Sequence, residues 1–392
     1  MNMKAVSSLI GISILGAILL AEPISAEAQA GPCACKDKAD LLNQLYRANA
    51  ATNSAQFLLQ AMGNGDHGSR NVSEILDGPN PEHVNYKEMI DEEISDDVNM
   101  VDDPKAGGIY IKTDASGTCE PNIIATSACL KSLAAKTAPA HKSFCEAKRT
   151  GLGRGTLTVY SYLNLLRQLY TAEITEILKL LHALPRECKP YDWVGLITYD
   201  ETTIHITTIQ DTPTVTETGE DIINRKGMIR LNGNPNPFST WEAGGKYSLT
   251  KTSKSWKYCT ATDRRNDKRT EYATRFRIRW DNTGTQAANI EVTIDEPDGG
   301  RAVVSFRVPP IKVSQKGETT DILTGGCPKE AFNNSIPINN DSVFDSSPVS
   351  SSAPYFKAEP ERLSGTDTKI IPNGGAIKVT FNLYRIGNPL RK

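Results

Sequence analysis

Histidine is the residue type that most often acts as a general base or metal ligand near neutral pH, and this chain has only five histidines. One of them, His141, lies in a segment of helical character between Cys129 and Cys145. A catalytic zinc needs three protein ligands, whereas His141 supplies one. We therefore keep His141 as a candidate metal ligand, with a half-buried helix residue beside Phe144 as the simpler interpretation.

The segment from Cys129 to Cys145 resembles exported bacterial proteins in which a helix flanked by two cysteines carries an HExxH zinc-binding motif. The later stretch Tyr170–Ile177 is similar to a second helix of those proteins, which contains a Tyr and paired Glu-Ile steps. In HExxH, two histidines one turn apart hold the zinc and the glutamate activates its water. Thr137 and Ala138 stand here in place of the first histidine and the glutamate. The resemblance therefore implies a non-catalytic relative that binds no stoichiometric zinc.

The glutamates of the second stretch have no predicted catalytic role. Because no zinc site is expected, Glu173 and Glu176 are predicted to lie on a solvated helix face. The run Gly151–Gly155 lacks the GxxxxGK[ST] spacing of a phosphate-binding loop and is interpreted as a turn between helices. A Gly-x-Ser-x-Gly nucleophile motif is absent from the sequence. We expect no cofactor, and a protein that is not an enzyme.

A basic strip is the clearest candidate for a binding surface. Three arginines alternate with apolar residues in Thr274–Trp280, which places the arginines on one face of a strand. Such a face could bind the phosphate, sulfate or carboxylate groups of an anionic envelope polymer, or the acidic segment 82–103 of the same chain. The alternative is an ordinary solvated strand face. The three residues are Arg275, Arg277 and Arg279.

The first thirty residues have the pattern of a secretory signal peptide. Lys4 precedes an apolar stretch from Val6 to Leu20, and Ala28-Gln29-Ala30 is a small-x-small cleavage pattern. We expect cleavage after Ala30 and a secreted or periplasmic protein, with an uncleaved anchor as the alternative. No later segment has the roughly 20 apolar residues of a membrane span. The net charge of −2 indicates no overall attraction to nucleic acid.

All eight cysteines follow this signal sequence, and an even count in an exported chain favours disulfides. Cys259 and Cys327 are alone in the second half and are predicted to bond each other. Pairing of the remaining six stays open, because six cysteines allow about fifteen connectivities. Cys129 and Cys145 are separated by about 24 Å along a straight helix, so each should bond a residue outside that helix. The six are Cys33, Cys35, Cys119, Cys129, Cys145 and Cys188.

The periodicity of the sequence changes near Pro190. Apolar residues at three- and four-residue steps precede this point and predict three amphipathic helices, the second kinked by Pro139. Threonine-rich and β-branched segments follow it, separated by Asn-Gly, Gly-Gly and Asp-Gly, and predict antiparallel strands. The strand at Trp193–Tyr199 resembles the opening of threonine-rich β-domains of exported bacterial proteins. The predicted helices are 37–62, 124–148 and 157–184.

These patterns together predict an α+β fold. Residues 31–190 should form a disulfide-tied helical bundle containing an acidic loop at 64–118. Residues 191–392 should form an antiparallel β-sandwich with a Ser-rich surface loop at 341–354. We expect an exported, non-enzymatic binding or structural protein of the bacterial envelope or secretome, whose partner is an anionic envelope polymer or a protein. The alternatives are a zinc-metallopeptidase-like hydrolase and a secreted toxin or effector with a β binding module.

Overall fold

The described residues form four α-helices and antiparallel sheets. The helices are α1 (Lys38–Met62), α2 (Tyr86–Val101), α3 (Ala128–Gly153) and α4 (Val159–Ala183). The α+β class predicted from the sequence is confirmed. The fold is given by a computed structural model, which describes residues 32–62, 86–114, 117–212, 215–233, 240–259, 268–278, 290–295, 300–307, 311–320, 322–324, 335–344, 348–358 and 360–387. The predicted signal peptide lies outside the described residues.

Local sequence explains where two of the helices begin. Ser127 precedes α3, and its hydroxyl accepts a hydrogen bond from the Leu130 backbone N–H. Thr158 precedes α4, and its hydroxyl accepts one from the Ser161 backbone N–H. Such N-caps satisfy backbone donors that the first helical turn leaves without partners. Pro139 lies inside α3, which continues on both sides of it. The predicted helices are therefore confirmed, with α3 starting a few residues later than expected.

The acidic segment corrects a sequence-based expectation. Residues predicted as a loop contain helix α2 and strand β1, and β1 pairs with β2 to form a hairpin. Ile90, Ile94 and Val101 of α2 are buried at helical spacing. The many carboxylates of this segment dominate its composition and hid the short apolar stripe from the sequence analysis.

Fourteen strands are described. They are β1 (Ile109–Thr113), β2 (Pro121–Ala125), β3 (Asp192–Thr212), β4 (Val215–Asn232), β5 (Thr240–Cys259), β6 (Lys268–Ile278), β7 (Ile290–Asp295), β8 (Arg301–Phe306), β9 (Ile311–Thr320), β10 (Ile322–Thr324), β11 (Ser335–Phe344), β12 (Val349–Phe356), β13 (Arg362–Ile370) and β14 (Ala376–Ile386). The main sheet has the order β10-β6-β5-β4-β3-β14-β13-β12-β8-β7, and a separate pair joins β9 to β11.

The main sheet curls back on itself. Thr240–Ala243 of β5 pair with β7, whereas the strand from Gly244 onwards pairs with β4. The β-sandwich expectation is not confirmed, because the described strands of the main sheet hydrogen-bond in one continuous order rather than as two facing sheets. Gly244 and Gly245, expected at a turn, lie where β5 changes partners. Glycine inside a strand commonly marks such a bend.

The Ser-rich segment is a second correction. Most of it is strand rather than surface loop, since β11 extends to Phe344 and β12 begins at Val349. Burial alternates along β12, with Val349, Ser351, Ala353 and Tyr355 buried. Small residues at alternate positions pack inside a curled sheet, where a serine-rich composition alone predicts a loop.

The first part of strand β3, residues 193–199, is buried on both faces and joins two hydrophobic cores. Trp193, Ile197 and Tyr199 belong to the core formed by the sheet itself. Val194 and Leu196 belong to a core that also contains residues of α1, α3 and α4. Period-two alternation explains the division, and burial on both sides explains why residues 193–199 are almost all apolar. The helices therefore rest on the sheet through a shared core.

Three disulfides tie the helical part. They are Cys33–Cys129, Cys35–Cys188 and Cys119–Cys145. Cys129 and Cys145 thus each bond a residue outside α3, as predicted. Cys33 ties the start of α1 to α3, whereas Cys35 ties it to the end of α4. Cys327 and the side chain of Cys259 lie outside the described residues, so their bond stays a prediction.

Candidate functional site

A cavity of about 150 Å³ lies where three of the helices meet the β1–β2 hairpin. Apolar and polar side chains line it in about equal numbers, and several polar groups converge on it, as they do in small-molecule sites. Helix α2 contributes one residue, Val98. The lining residues are Gln44, Arg47, Ala48, Val98, Ile109, Ile111, Leu133, Thr137, His141, Tyr170, Glu173 and Ile177.

A hydrogen-bonded pair of ionisable groups lies in this wall. His141 Nε2 of α3 is 2.7 Å from Glu173 Oε1 of α4, and the two side chains are 16% and 22% exposed. His141 is therefore half-buried, as the sequence suggested, but its neighbour in the cavity is a carboxylate. Glu173 was expected on a solvated face and is instead withdrawn into the cavity wall. Glu176 pairs with Lys179 within α4.

Helical spacing brings these groups to one face of each helix. Thr137 and His141 are four residues apart on α3, and Tyr170 and Glu173 are three apart on α4. The two positions that the HExxH comparison singled out, Thr137 and His141, therefore do share one cavity. The Thr137 hydroxyl donates to backbone carbonyls of the preceding turn, so its proton is used within α3 while its oxygen can still accept a hydrogen bond.

Helix α1 supplies a cation and an amide to the opposite wall. The guanidinium of Arg47 is 3.0 Å from Asp102 Oδ1 in the segment that follows α2. The Gln44 side chain donates a 3.2 Å hydrogen bond to the Gly107 carbonyl, just before β1. Both contacts leave part of each polar group able to bond elsewhere, because a guanidinium has five N–H donors and an amide also accepts. Arg47 and Gln44 therefore hold this wall in place and can still contact a bound molecule.

Tyr170 adds a neutral donor to the site. Burial raises the pKa of its phenol well above the ordinary value, and the charge of Glu173 adds to that effect. A phenol with a raised pKa keeps its proton throughout the physiological range and can donate a hydrogen bond. The cavity thus combines a donor at Tyr170, a cation at Arg47 and an acceptor at Glu173.

The hairpin wall is anchored covalently. Ile109 and Ile111 of β1 face the cavity, and Cys119, between the two strands, is bonded to Cys145 of α3. Both cysteines are buried. The disulfide therefore keeps the hairpin against the helix that carries His141.

The polar groups of the cavity do not form a metal centre. No cluster of three or more His, Cys, Asp or Glu side chains suited to a metal ion occurs among the described residues. His141 and Glu173 together provide two donors, one short of what a catalytic zinc requires. The arrangement can bind a small polar molecule through hydrogen bonds and charge.

The basic strip is only partly covered by the structure. Arg275 and Arg277 lie in strand β6, but their side chains are outside the described residues, as is all of Arg279. Their role in binding an anionic polymer stays a prediction. The sequence analysis missed Arg47, Tyr170 and Glu173 as site residues, although the helical spacing of Tyr170, Glu173 and Ile177 marks one face of α4.

In the described part of the chain, no helix combines the length and the apolar character needed to cross a membrane. Comparison of the chain with protein-family models, curated proteins and solved structures gives no match.

Proposed function

We propose that this protein is an exported, disulfide-tied binding protein that holds a small polar molecule in the cavity between α1, α3 and α4 without transforming it. The observation that carries the proposal is the His141–Glu173 pair, 2.7 Å apart in the wall of the cavity. Ionisable groups withdrawn from water into a concave site are a common sign of ligand binding. Export rests on the leader pattern of residues 1–30 and is supported by the three disulfides.

The size of the cavity limits its occupant. A volume of about 150 Å³ matches engineered cavities that hold one benzene-sized molecule and is below the roughly 300–1,000 Å³ of drug-sized sites. The occupant is therefore a molecule of about ten heavy atoms or fewer. It places a polar group near Glu173 and Tyr170 and an apolar part against Ile109 and Ile177.

The composition of the wall favours binding over catalysis. The lining contains neither a serine nor a cysteine, and the hydroxyl of Thr137 is bonded to its own helix. A covalent mechanism needs a nucleophile within reach of an activating base. We assign the His141–Glu173 pair to orienting a bound polar group.

Three probes of similar size and different charge test the proposal: phenol, benzylamine and benzoate. Binding is measured by NMR titration of the oxidised protein, with expected dissociation constants of about 0.1–10 mM for molecules of this size. Glu173→Gln and His141→Gln should each weaken the best probe at least about fivefold, because each removes one member of the pair. Glu176→Gln is the matched control, since Glu176 lies outside the cavity lining on the same helix.

The variants distinguish binding in the cavity from adventitious binding elsewhere on the protein. A probe whose affinity falls in the two cavity variants and not in Glu176→Gln supports the proposal. If none of the three probes binds, or if the control variant weakens binding as much as the cavity variants do, the cavity is not the ligand site.

A further inference from the structure

The three disulfides of the helical part differ in their access to solvent. Cys35 is exposed and Cys188 is half-buried, and we call the bond between them the surface disulfide. Cys33 is 8% exposed and is the most accessible of the four cysteines in the other two bonds. A dissolved thiol can therefore reach one of the three bonds in the folded chain, whereas the other two lie inside the protein.

The chain next to the surface disulfide is also open to solvent. Residues 34 and 36, on either side of Cys35, are exposed, and so are residues 186 and 187, just before Cys188. Exchange at a disulfide begins when a thiolate attacks one of its sulfur atoms, so access to that atom helps to set the rate. Disulfides that are exposed are the ones that exchange most readily.

The two sulfur atoms of this bond are not equivalent. Cys35 is the more exposed of the two cysteines, so it is the one that an incoming thiol reaches. The Glu187 carboxylate oxygen lies 4.0 Å from Cys35 Sγ, and a negative charge beside a sulfur disfavours its departure as a thiolate. Exposure and charge therefore both predict attack at Cys35, with Cys188 as the sulfur that leaves.

Opening the surface disulfide leaves the start of α1 attached to the rest of the protein. Cys33 is two residues before Cys35 and is bonded to Cys129 of α3, and both partners of that bond are buried. After α4, the backbone N–H of Cys188 donates a 3.1 Å hydrogen bond to the Pro185 carbonyl. Both ends of the surface disulfide thus keep other contacts, and the bond can open locally.

We propose that the surface disulfide is an exchange site, at which a small dissolved thiol forms a reversible mixed disulfide with Cys35, while the two buried disulfides are permanent. The site is separate from the cavity of the proposed function and does not depend on it. Through this bond the exported protein takes up a thiol when the thiol content of its surroundings rises and releases it when that content falls.

The exchange is balanced without an external oxidant. The thiolate of the small molecule forms a new S–S bond with Cys35 Sγ, and the Cys35–Cys188 bond breaks. Its electron pair stays on the sulfur of Cys188, which takes a proton from water. In the reverse direction the Cys188 thiolate attacks Cys35 Sγ, expels the small thiol and restores the original disulfide.

Thiol trapping on the oxidised, full-length mature protein tests the proposal. The protein is incubated with 2-mercaptoethanol, which is uncharged apart from its thiolate, and exchange is stopped at early times with N-ethylmaleimide. Peptide mapping should find mercaptoethanol on Cys35 and the maleimide on Cys188, in equal amounts. Both should appear at least about tenfold faster than any modification of the two buried disulfides.

Urea distinguishes local exchange from exchange through unfolding. The rate of mercaptoethanol uptake should change less than about twofold between no urea and about 1 M urea. Exchange that requires global unfolding would accelerate at least about fivefold over that range, because urea shifts the unfolding equilibrium. Amide NMR shifts of the modified protein should change near residues 33–38 and 185–191 and stay unchanged in the rest of α1 and in β3.

The matched control replaces both cysteines of the surface disulfide, as Cys35→Ser with Cys188→Ser. This variant should remain folded and take up no mercaptoethanol at early times, and a variant that fails to fold would show that the bond cannot open locally. In the unmodified protein, no uptake, equal or earlier modification of a buried disulfide, or a rate that follows unfolding overturns the exchange site. Mercaptoethanol on Cys188 with the maleimide on Cys35 overturns the assignment of the attacked sulfur.

Discussion

Replacing Asn53 by alanine should destabilise the protein more than a typical surface substitution, because Asn53 connects α1 to two strands. Its Nδ2 group donates a 2.8 Å hydrogen bond to Thr198 Oγ1 of β3. Its Oδ1 atom accepts a 2.6 Å hydrogen bond from Asn382 Nδ2 of β14. All three side chains are buried, so water does not replace the lost partner.

The magnitude follows from the groups that the substitution leaves behind. The Asn382 amide loses its acceptor, and a buried donor without a partner costs about 1–3 kcal/mol. The Thr198 hydroxyl loses the hydrogen bond that it accepts from Asn53 but still donates to Met228 Sδ. This loss adds about 1 kcal/mol or less to the destabilisation. We expect Asn53→Ala to lower the free energy of unfolding by about 2–4 kcal/mol and the thermal midpoint by about 3–5 °C.

The assay compares thermal and urea unfolding of the oxidised protein with those of a matched variant. Asn164→Ala makes the same chemical change on α4, where the amide only donates to the Tyr160 carbonyl of its own helix in an exposed position. It should change stability by less than about 0.5 kcal/mol. A loss below about 1 kcal/mol in Asn53→Ala, or an equal loss in Asn164→Ala, would refute the view that this buried network holds the helix on the sheet.

Three further predictions concern metal and disulfides. Purified protein should contain no stoichiometric zinc, and elemental analysis finding one zinc per chain that is lost in His141→Ala would contradict this. Peptide mapping without reductant should join Cys259 to Cys327, closing a loop worth about 4 kcal/mol in the chain-entropy model; a link from either residue to Cys188 would refute it. Graded reduction should lower hydrogen-exchange protection first in residues 37–62 and 157–184, because all three disulfides described tie the helical part. Earlier loss in β6 to β8 would show that apolar packing alone holds the helices.

Part of the fold could be predicted because its signals are local. The apolar stripes of α1, α3 and α4 repeat at the period of a helix, and the threonine-rich and β-branched segments after Pro190 are typical of strands. The same reasoning required Cys129 and Cys145 to find partners outside α3, since a helix holds residues at a fixed separation. The acidic composition of α2 concealed its stripe, and the Ser-rich composition of β12 concealed its alternation, so both were assigned to loops.

The candidate site and the sheet closure depend on contacts between distant parts of the chain. His141 and Glu173 are 32 residues apart, and nothing in either local segment indicates that α3 and α4 place them together. The partner change at Gly244 makes one curled sheet of strands whose patterns fit a sandwich equally well, because alternation identifies a buried face but not the strand that covers it. From its own residues the chain determines which segments are helix or strand and which faces are apolar. Tertiary packing alone decides which polar groups line the cavity and which cysteines bond, because these depend on distances that only the folded chain sets.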